Sequence, residues 1–223
     1  YTLIDTAKGL DKLVAELKSA KEFAFDAETT NEDPMLAKIV GISFAWEEGK
    51  AYYVPLNKSL DPDAALAKLK PILENEKIGK IGQNIKYEYI ILANSGIALK
   101  GISFDTMVAS YLLNPSRLHH NLDDISIEYL NHKLTTDIVE LIGKGKKAIT
   151  MDMVDVDKVS NYCCEDSDVT LRLKHILEKE LAKHDLDKLF YEVEIPLIEV
   201  LATMEMDGVS IDKKYLADLS KEM

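Results

Sequence analysis

Phe23-Ala24-Phe25-Asp26-Ala27-Glu28-Thr29-Thr30 is an apolar run that leads into two carboxylates. It predicts a core strand over residues 22–26, and side chains two apart on a strand point to the same face. Asp26 and Glu28 are therefore expected side by side, where their charges repel unless one is protonated or a cation lies between them. Paired carboxylate oxygens suit Mg²⁺ or Mn²⁺. On this stretch alone, a plain polar strand end is the commoner explanation.

The composition is that of a globular protein of 223 residues. The net charge of −12 argues against sequence-blind nucleic-acid binding driven by charge. It does not exclude a nucleic-acid enzyme, because carboxylates that hold metal ions are counted as negative. No apolar run approaches the ~20 residues that span a bilayer. Adjacent Cys163 and Cys164 exclude a disulfide framework and indicate a reducing cytosol, and a chain that begins with Tyr1 is expected to be part of a longer one.

Hydrophobic periodicity and turn residues predict an α/β domain with a small mixed sheet. A short first strand follows Tyr1, and the other predicted strands are 22–26, 39–46, 51–55, 77–82 and 102–104. One predicted helix ends near residue 21. The other predicted helices cover 62–74, 84–94, 106–113, 121–130, 156–181 and 186–206. Residues 143–147 are predicted to be a flexible basic loop, whose Lys144, Lys146 and Lys147 either hold phosphates or are simply solvated.

Two pairs of polar residues have the four-residue spacing that shares one helix face. Asn84 and Glu88 open a helix directly after a strand, a usual place for an α/β active site. Taken alone, Glu88 is better explained as a solvated carboxylate near a helix N-terminus. Tyr162 and Asp166 offer a hydroxyl that can bind water and a metal ligand. Glu165 remains a competitor for the ligand, and an ordinary acidic stripe also explains this helix.

Some further candidates have simpler explanations. Asp105 is interpreted as a helix cap. Cys163 and Cys164 are interpreted as small packing residues, because adjacent thiols do not easily share a tetrahedral metal. Tyr87 is interpreted as a core or half-core residue.

The order of the motifs is far more specific than any one of them. Residues 26–28 (Asp-Ala-Glu), 82–88 (Gly-Gln-Asn-Ile-Lys-Tyr-Glu) and 162–166 (Tyr-Cys-Cys-Glu-Asp) resemble the three motifs of DEDDy-class exonucleases. The chain looks most like the 3′–5′ proofreading exonuclease domain of family A bacterial DNA polymerase I. Residues 101–107, 143–147 and 166–171 agree with this resemblance. Residues 195–212 are similar to the start of the polymerase domain.

The resemblance implies a ribonuclease H-like fold with a central mixed sheet flanked by helices. It implies an exonuclease domain over residues 1–192 and a truncated start of the polymerase domain over 193–223. It makes Asp26, Glu28 and Asp166 direct metal ligands, gives Glu88 a looser hold on a second metal, and lets Tyr162 orient the attacking water. The implied contacts to the terminal nucleotide are Thr29, Gln83, Asn84 and Tyr162.

The implied activity is removal of nucleoside 5′-monophosphates from single-stranded or frayed DNA 3′ ends. It serves proofreading in DNA replication and repair, and it uses two divalent ions, Mg²⁺ or Mn²⁺, with Zn²⁺ as an option at the first site. The implied setting is the bacterial cytosol, away from membranes, as a monomer joined covalently to a polymerase domain. We expect no nucleotide addition by these residues alone.

Two positions depart from the family pattern. The second motif usually ends in Asp, where this chain has Glu88, and the family often carries Leu where this chain has Glu32. Two alternatives therefore stay open. One is an exonuclease-like domain that lacks metal and acts as a scaffold or DNA-binding module. The other is a ribonuclease D-like RNA 3′ exonuclease, against which the polymerase-like tail after Pro196 argues.

Overall fold

The computed structural model describes residues 1–222. For Lys146 it describes only the backbone. The strands are β1 (Thr2–Leu3), β2 (Glu22–Thr29), β3 (Ile39–Glu47), β4 (Lys50–Pro55), β5 (Gly79–Gly82) and β6 (Ile102–Asp105). The α-helices are α1 (Ala7–Ser19), α2 (Pro62–Leu73), α3 (Lys86–Asn94), α4 (Thr106–Leu113), α5 (Leu122–Leu130), α6 (Ile138–Ile142), α7 (Val156–Lys183), α8 (Asp187–Leu189), α9 (Ile195–Asp207) and α10 (Lys213–Glu222). Gly145–Lys147 and Met151–Met153 are 3₁₀ turns, and Phe190–Glu194 is a π-helical turn.

Within residues 1–222, the strands form one mixed sheet in the order β1-β4-β3-β2-β5-β6. The central strand β2 runs antiparallel to β3 and parallel to β5, and β6 continues the parallel side. This arrangement confirms the predicted α/β fold with a central mixed sheet. No helix in the described part of the chain is both long enough and apolar enough to cross a membrane.

The alternation of side chains along β2 builds the two layers that flank the sheet. Phe23 and Phe25 point to the face covered by α1 and α2. There the Phe23 ring packs edge-on against Phe44, and the Phe25 ring stacks on Phe44. Ala24 points to the opposite face and lies opposite Ala45 of β3. Because both residues are small, α7 can pack directly on the centre of the sheet. The same alternation places Asp26 and Glu28 on the α7 face.

The strand that carries the acidic pair is longer than predicted. Residues 26–29 pair with β3, with Asp26 opposite Ser43 and Glu28 opposite Gly41, and a register shift follows between Glu28 and Thr29. Both acids therefore lie within β2, with Glu28 one residue before the strand ends. Backbone hydrogen bonds to β3 fix the main chain of Asp26 and Glu28. The polar sequence of residues 26–30 does not reveal this pairing.

Two other segments differ from prediction. Residues 138–142 form the short helix α6, and the predicted basic loop contains a 3₁₀ turn. The predicted helix over 186–206 is interrupted by the π-helical turn Phe190–Glu194. Pro196 follows this turn, and because proline has no N–H it cannot donate a helical hydrogen bond to the Glu192 carbonyl. Lys144 and Lys147 are exposed, whereas the Lys146 side chain lies outside the described part.

The predicted domain boundary between residues 192 and 193 falls inside the π-helical turn. Helix α9 buries Ile198 and Ala202, and its Glu199 forms an ion pair with Lys100 at 3.0 Å. Helix α9 therefore packs on the preceding fold without an intervening extended linker. The domain boundary between residues 192 and 193 stays a prediction.

Candidate active site

One open cleft of about 570 Å³ collects the residues that the sequence singled out. Its lining includes the predicted metal ligands and nucleotide contacts, together with Glu32: Asp26, Glu28, Thr29, Glu32, Gln83, Asn84, Glu88, Tyr162 and Asp166. Acids from an early strand and a late helix thus face a common space.

The packing of α7 on β2 and β3 brings the acids together. The buried Ser43 of β3 donates a hydrogen bond to the Cys163 carbonyl oxygen at 2.7 Å, although that carbonyl lies within a helix. Since Ser43 also lies opposite Asp26, this bond fixes the depth and rotation of α7 beside the acidic strand. The Cys163 thiol contacts the Asp26 Oδ2 atom at 3.4 Å. One helical turn further on, Asp166 reaches the same cleft.

The turn between β5 and α3 delivers the fourth carboxylate. Asn84 adopts a left-handed backbone conformation with φ 59°, which Asn tolerates better than most residues. The buried Asp105 accepts hydrogen bonds from Ile85 N at 2.7 Å and from Val108 N at 2.9 Å, so it holds the start of α3 and caps α4. This confirms the interpretation of Asp105 as a cap. Glu88 consequently projects from the first turn of α3 into the cleft.

The carboxylates are too buried and too close to be ionised together without a counter-charge. Burial raises the pKa of Asp26 to about 6. Burial, followed by the charge of Asp26, raises the pKa values of Glu28, Glu88 and Asp166 well above their usual range. A divalent cation would offset both effects.

The oxygen atoms themselves fit such a cation. Glu88 is 4% exposed and Asp166 is 9% exposed. Among the described residues, Glu88 Oε2 and Asp166 Oδ1 have no hydrogen-bond partner. Buried polar atoms are normally satisfied, so these two orphaned carboxylate oxygens in an acidic cleft are free to bind a cation. Hard oxygen donors are those that Mg²⁺ and Mn²⁺ prefer.

Tyr162 is half-buried on the same face of α7 as Asp166, one turn earlier. Burial and the nearby charge of Asp166 raise the pKa of its phenol. The hydroxyl therefore stays protonated at neutral pH and can both donate and accept a hydrogen bond.

The rim of the cleft is held by a small hydroxyl network. The Thr29 and Tyr87 hydroxyl oxygens lie 2.5 Å apart, and the Tyr87 hydroxyl donates to the Asn31 carbonyl at 2.6 Å. This network ties α3 to the loop that carries Glu32. Tyr87, interpreted from sequence as core or half-core, is thus part of the cleft lining.

Gln83 lines the cleft, but the protein already engages its amide. Its Nε2 donates to the His120 carbonyl at 2.8 Å, and its Oε1 accepts from the Thr106 hydroxyl at 2.5 Å. One amide N–H remains for a ligand, so Gln83 positions the neighbouring turn as much as it offers a contact.

The structure separates Asp166 from its competitors on α7. Glu165 is buried on another face, where it accepts from the Thr135 N–H at 2.9 Å and contacts His132 Nε2 at 3.0 Å. Asp168 accepts from Gly49 N at 2.7 Å and from the Tyr1 hydroxyl at 3.0 Å. Both carboxylates hold the fold together, and neither lines the cleft.

Sequence reasoning missed one wall of the cleft, which is mostly apolar. Its residues come from the stretch around α6 and the turn that follows: Ile138, Ile142, Ile149, Thr150 and Met151. Asp137 caps α6, and Ile138 and Ile142 lie four residues apart. Those two features together are the signal that could have identified this short helix.

A family model described as 3′–5′ exonuclease matches residues 1–182. DNA polymerase I of Pseudomonas aeruginosa is 40% identical over 233 aligned residues, which cover 100% of this chain and 25% of that protein. DNA polymerase I of Rhizobium leguminosarum is 34% identical, with 100% of this chain and 24% of that protein covered. The chain thus spans about a quarter of the length of these curated relatives.

Similar solved structures agree on the fold. The POL domain of Pol1 from M. smegmatis, in complex with a DNA primer-template and dNTP, matches with a TM-score of 0.80 and 22% identity over 100% of this chain and 35% of that chain. Brucella melitensis NrnC matches with a TM-score of 0.71 and 19% identity over 93% of this chain and 92% of that chain. A structure of NrnC with bound Mg²⁺ is also similar, with a TM-score of 0.65 and 20% identity over 85% of this chain and 87% of that chain. The fold is ribonuclease H-like, as predicted.

Proposed function

We propose, since the chain belongs to the 3′–5′ exonuclease family, that it removes nucleoside 5′-monophosphates from DNA 3′ ends. The observation that carries the proposal is one open cleft that joins the four predicted metal-binding carboxylates to a protonated tyrosine hydroxyl. The polymerase I relatives support proofreading in DNA replication and repair as the setting.

The family match and the shared cleft both support the metal ligands that the resemblance implies. Asp26, Glu28 and Asp166 would hold one divalent ion, and Asp26 with Glu88 would hold a second. Mg²⁺ or Mn²⁺ fits the oxygen donors, and Zn²⁺ can replace the first. Divalent ions held there would supply a bound water of lowered pKa and would offset negative charge on the departing 3′ oxygen.

The protein groups supply position and proton control. The Tyr162 hydroxyl binds the attacking water and directs one of its lone pairs toward phosphorus, while the Glu28 carboxylate can accept a hydrogen bond from the same water. Because both groups lie on rigid elements, β2 and α7, this orientation does not have to be assembled at each turnover. No serine, cysteine or threonine nucleophile is required.

The shape of the cleft favours a strand end that is not paired. The acidic floor of the cleft can bind the scissile phosphate only when cations neutralise the carboxylates. The apolar wall of Ile138, Ile142 and Met151 offers contact to the terminal sugar and base. Thr29, Gln83, Asn84 and Tyr162 are the proposed polar contacts. Such contacts to backbone and base faces read little sequence. Glu32 at the rim repels phosphate and is expected to slow the reaction.

The decisive experiment is the shortening of a 5′-labelled single strand in Mg²⁺ or Mn²⁺. We expect a ladder that shortens from the 3′ end, faster on single-stranded than on paired DNA, and slower on RNA of the same sequence. Faster digestion of RNA would favour the ribonuclease D-like alternative. DNA binding without hydrolysis, with no heat of metal binding in calorimetry, would favour the scaffold. Primer extension by the same chain would contradict the expectation of no nucleotide addition.

Changing Glu88 to Asp is expected to leave cleavage equal or faster. The shorter side chain withdraws the carboxylate by about 1.5 Å, one carbon–carbon bond, which relieves its repulsion with Asp26. Glu88→Gln is the matched control, since it keeps the size, removes the charge and should slow cleavage. The measurement is the initial rate of nucleotide release in Mg²⁺. A large loss in Glu88→Asp would show that the longer acid is needed.

The wider setting is also proposed. Residues 1–192 act as the exonuclease unit and 193–223 begin a polymerase domain in a longer, monomeric protein. Cys163 and Cys164 are both free thiols in the structure. That state suits a reducing compartment, for which we propose the bacterial cytosol.

A further inference from the structure

Cys163 lies against the acidic floor of the cleft. Its Sγ atom is 3.4 Å from Asp26 Oδ2 and 3.2 Å from Ser43 Oγ. One ligand atom from each of Asp26, Glu28 and Cys163 lies within 4.8 Å of the others. The 3.4 Å between the Cys163 sulfur and Asp26 Oδ2 matches the separation of about 3.5 Å between sulfur and oxygen ligands of one tetrahedral zinc ion, whose bonds are about 2.3 Å and 2.0–2.2 Å long.

We propose that the Cys163 sulfur is a direct ligand that makes this centre prefer thiophilic cations, Zn²⁺ or Cd²⁺, over Mg²⁺. The inference rests on the proposed function, since it uses the same Asp26 and Glu28. Thiolates select soft or borderline metals, whereas Mg²⁺ demands oxygen. On binding, the S–H bond breaks, a sulfur–metal bond forms and one proton leaves to solvent, so no oxidant or reductant is needed.

The cleft supplies a second, independent indication of a ligand. Glu88 and Asp166 are both more than nine-tenths buried, and each has an oxygen without a partner among the described residues. Both side chains line the cleft of Asp26 and Glu28. Cys163 is fully buried and does not itself line this cleft. Its sulfur reaches the same acids from the α7 side, through its contact with Asp26.

The neighbouring thiol is a matched control. Cys164 is equally buried and free, but it follows on α7 and interacts with Ser160 and the backbone of Thr2 on another face. It is absent from the group of atoms that could hold a metal among the described residues. The two adjacent cysteines thus differ in one relevant respect, which is contact with Asp26.

The test is Cd²⁺ titration of the whole chain, followed by the ultraviolet thiolate-to-cadmium charge-transfer band. We expect the band in the native protein and in Cys164→Ala, and its loss in Cys163→Ala. Zn²⁺ affinity should fall by at least about 10- to 100-fold in Cys163→Ala, the loss that even outer-shell partners cause. Mg²⁺ affinity should change far less. A band that survives in Cys163→Ala, or none in the native protein, overturns the inference.

X-ray absorption of the zinc-loaded native protein needs no variant and therefore does not depend on how a variant folds. We expect one sulfur neighbour at about 2.3 Å. A shell of oxygen alone, with zinc binding lost in Asp26→Asn, overturns the sulfur ligand and leaves the proposed metal centre intact. Failure of the native protein to bind Zn²⁺, Mn²⁺ or Mg²⁺ overturns both.

Discussion

Replacing Asp26 by Asn is expected to slow nucleotide release from single-stranded DNA by at least about 1,000-fold. Asp26 is the acid proposed to touch both ions, and its charge contributes to the raised pKa values of Glu28, Glu88 and Asp166. Loss of a shared ligand removes several kcal/mol of stabilisation from the transition state. About 4 kcal/mol corresponds to that factor. Asp166→Asn should have a similar effect.

Initial rates at saturating Mg²⁺ or Mn²⁺ provide the measurement, and calorimetric titration should show weaker metal binding. Asp168→Asn is the matched control for Asp166→Asn, because Asp168 is a buried acid on the same helix. It accepts from Gly49 N and the Tyr1 hydroxyl and does not line the cleft. It should cost about 1–3 kcal/mol of stability and keep the activity of the folded protein. Activity retained in Asp26→Asn would remove the basis of the proposed mechanism.

Local sequence patterns were sufficient for much of this site. The two-residue spacing of Asp26 and Glu28 predicted a shared strand face, and the four-residue spacing of Tyr162 and Asp166 predicted a shared helix face. The ordered motifs predicted a family resemblance that the match over residues 1–182 confirms. The mixed sheet followed from apolar runs and turn residues, and the structure confirms it.

Spacing could not choose between Glu165 and Asp166. The choice depends on how α7 is rotated on the sheet, which the Ser43 bond to the Cys163 carbonyl fixes. That bond joins residues far apart in the chain and leaves no local pattern. For the same reason, Cys163 was interpreted from sequence as a packing residue, although its thiol lies beside Asp26.

The length of β2 and the helix α6 were missed for different reasons. Pairing with β3 carries the strand beyond Asp26 to Thr29, and such pairing overrides the weak strand preference of acidic residues. Helix α6 has only five residues, too few for a clear helical period. Its side chains nevertheless line the cleft, so the apolar wall could be found only in three dimensions.

The metal-free protein is expected to lose stability as pH rises from about 4 to 7. Burial raises the pKa of Asp26 from its ordinary value of about 3.9 to about 6. The folded state therefore binds more protons than the unfolded state between these values, and stability falls with rising pH. Asp26 alone accounts for about 2–3 kcal/mol. The raised pKa values of Glu28, Glu88 and Asp166 act in the same direction at higher pH.

Thermal unfolding in a chelator, followed across this range, measures the effect. For a chain of this size, 2–3 kcal/mol corresponds to a fall in Tm of roughly 5–10 °C. A divalent ion at about 100 times its Kd should restore about 2.7 kcal/mol, because it binds the folded state alone. Asp26→Asn is the informative control: it removes one titrating acid, so the stability of this variant in chelator should be higher at pH 7 and should fall less with pH.

The buried Lys80, whose pKa burial lowers to about 8, stays charged below pH 7 and does not change how stability varies with pH in this range. A native protein in chelator that is as stable at pH 7 as at pH 4, or that gains nothing from divalent ions, would show that these carboxylates do not form a cation site.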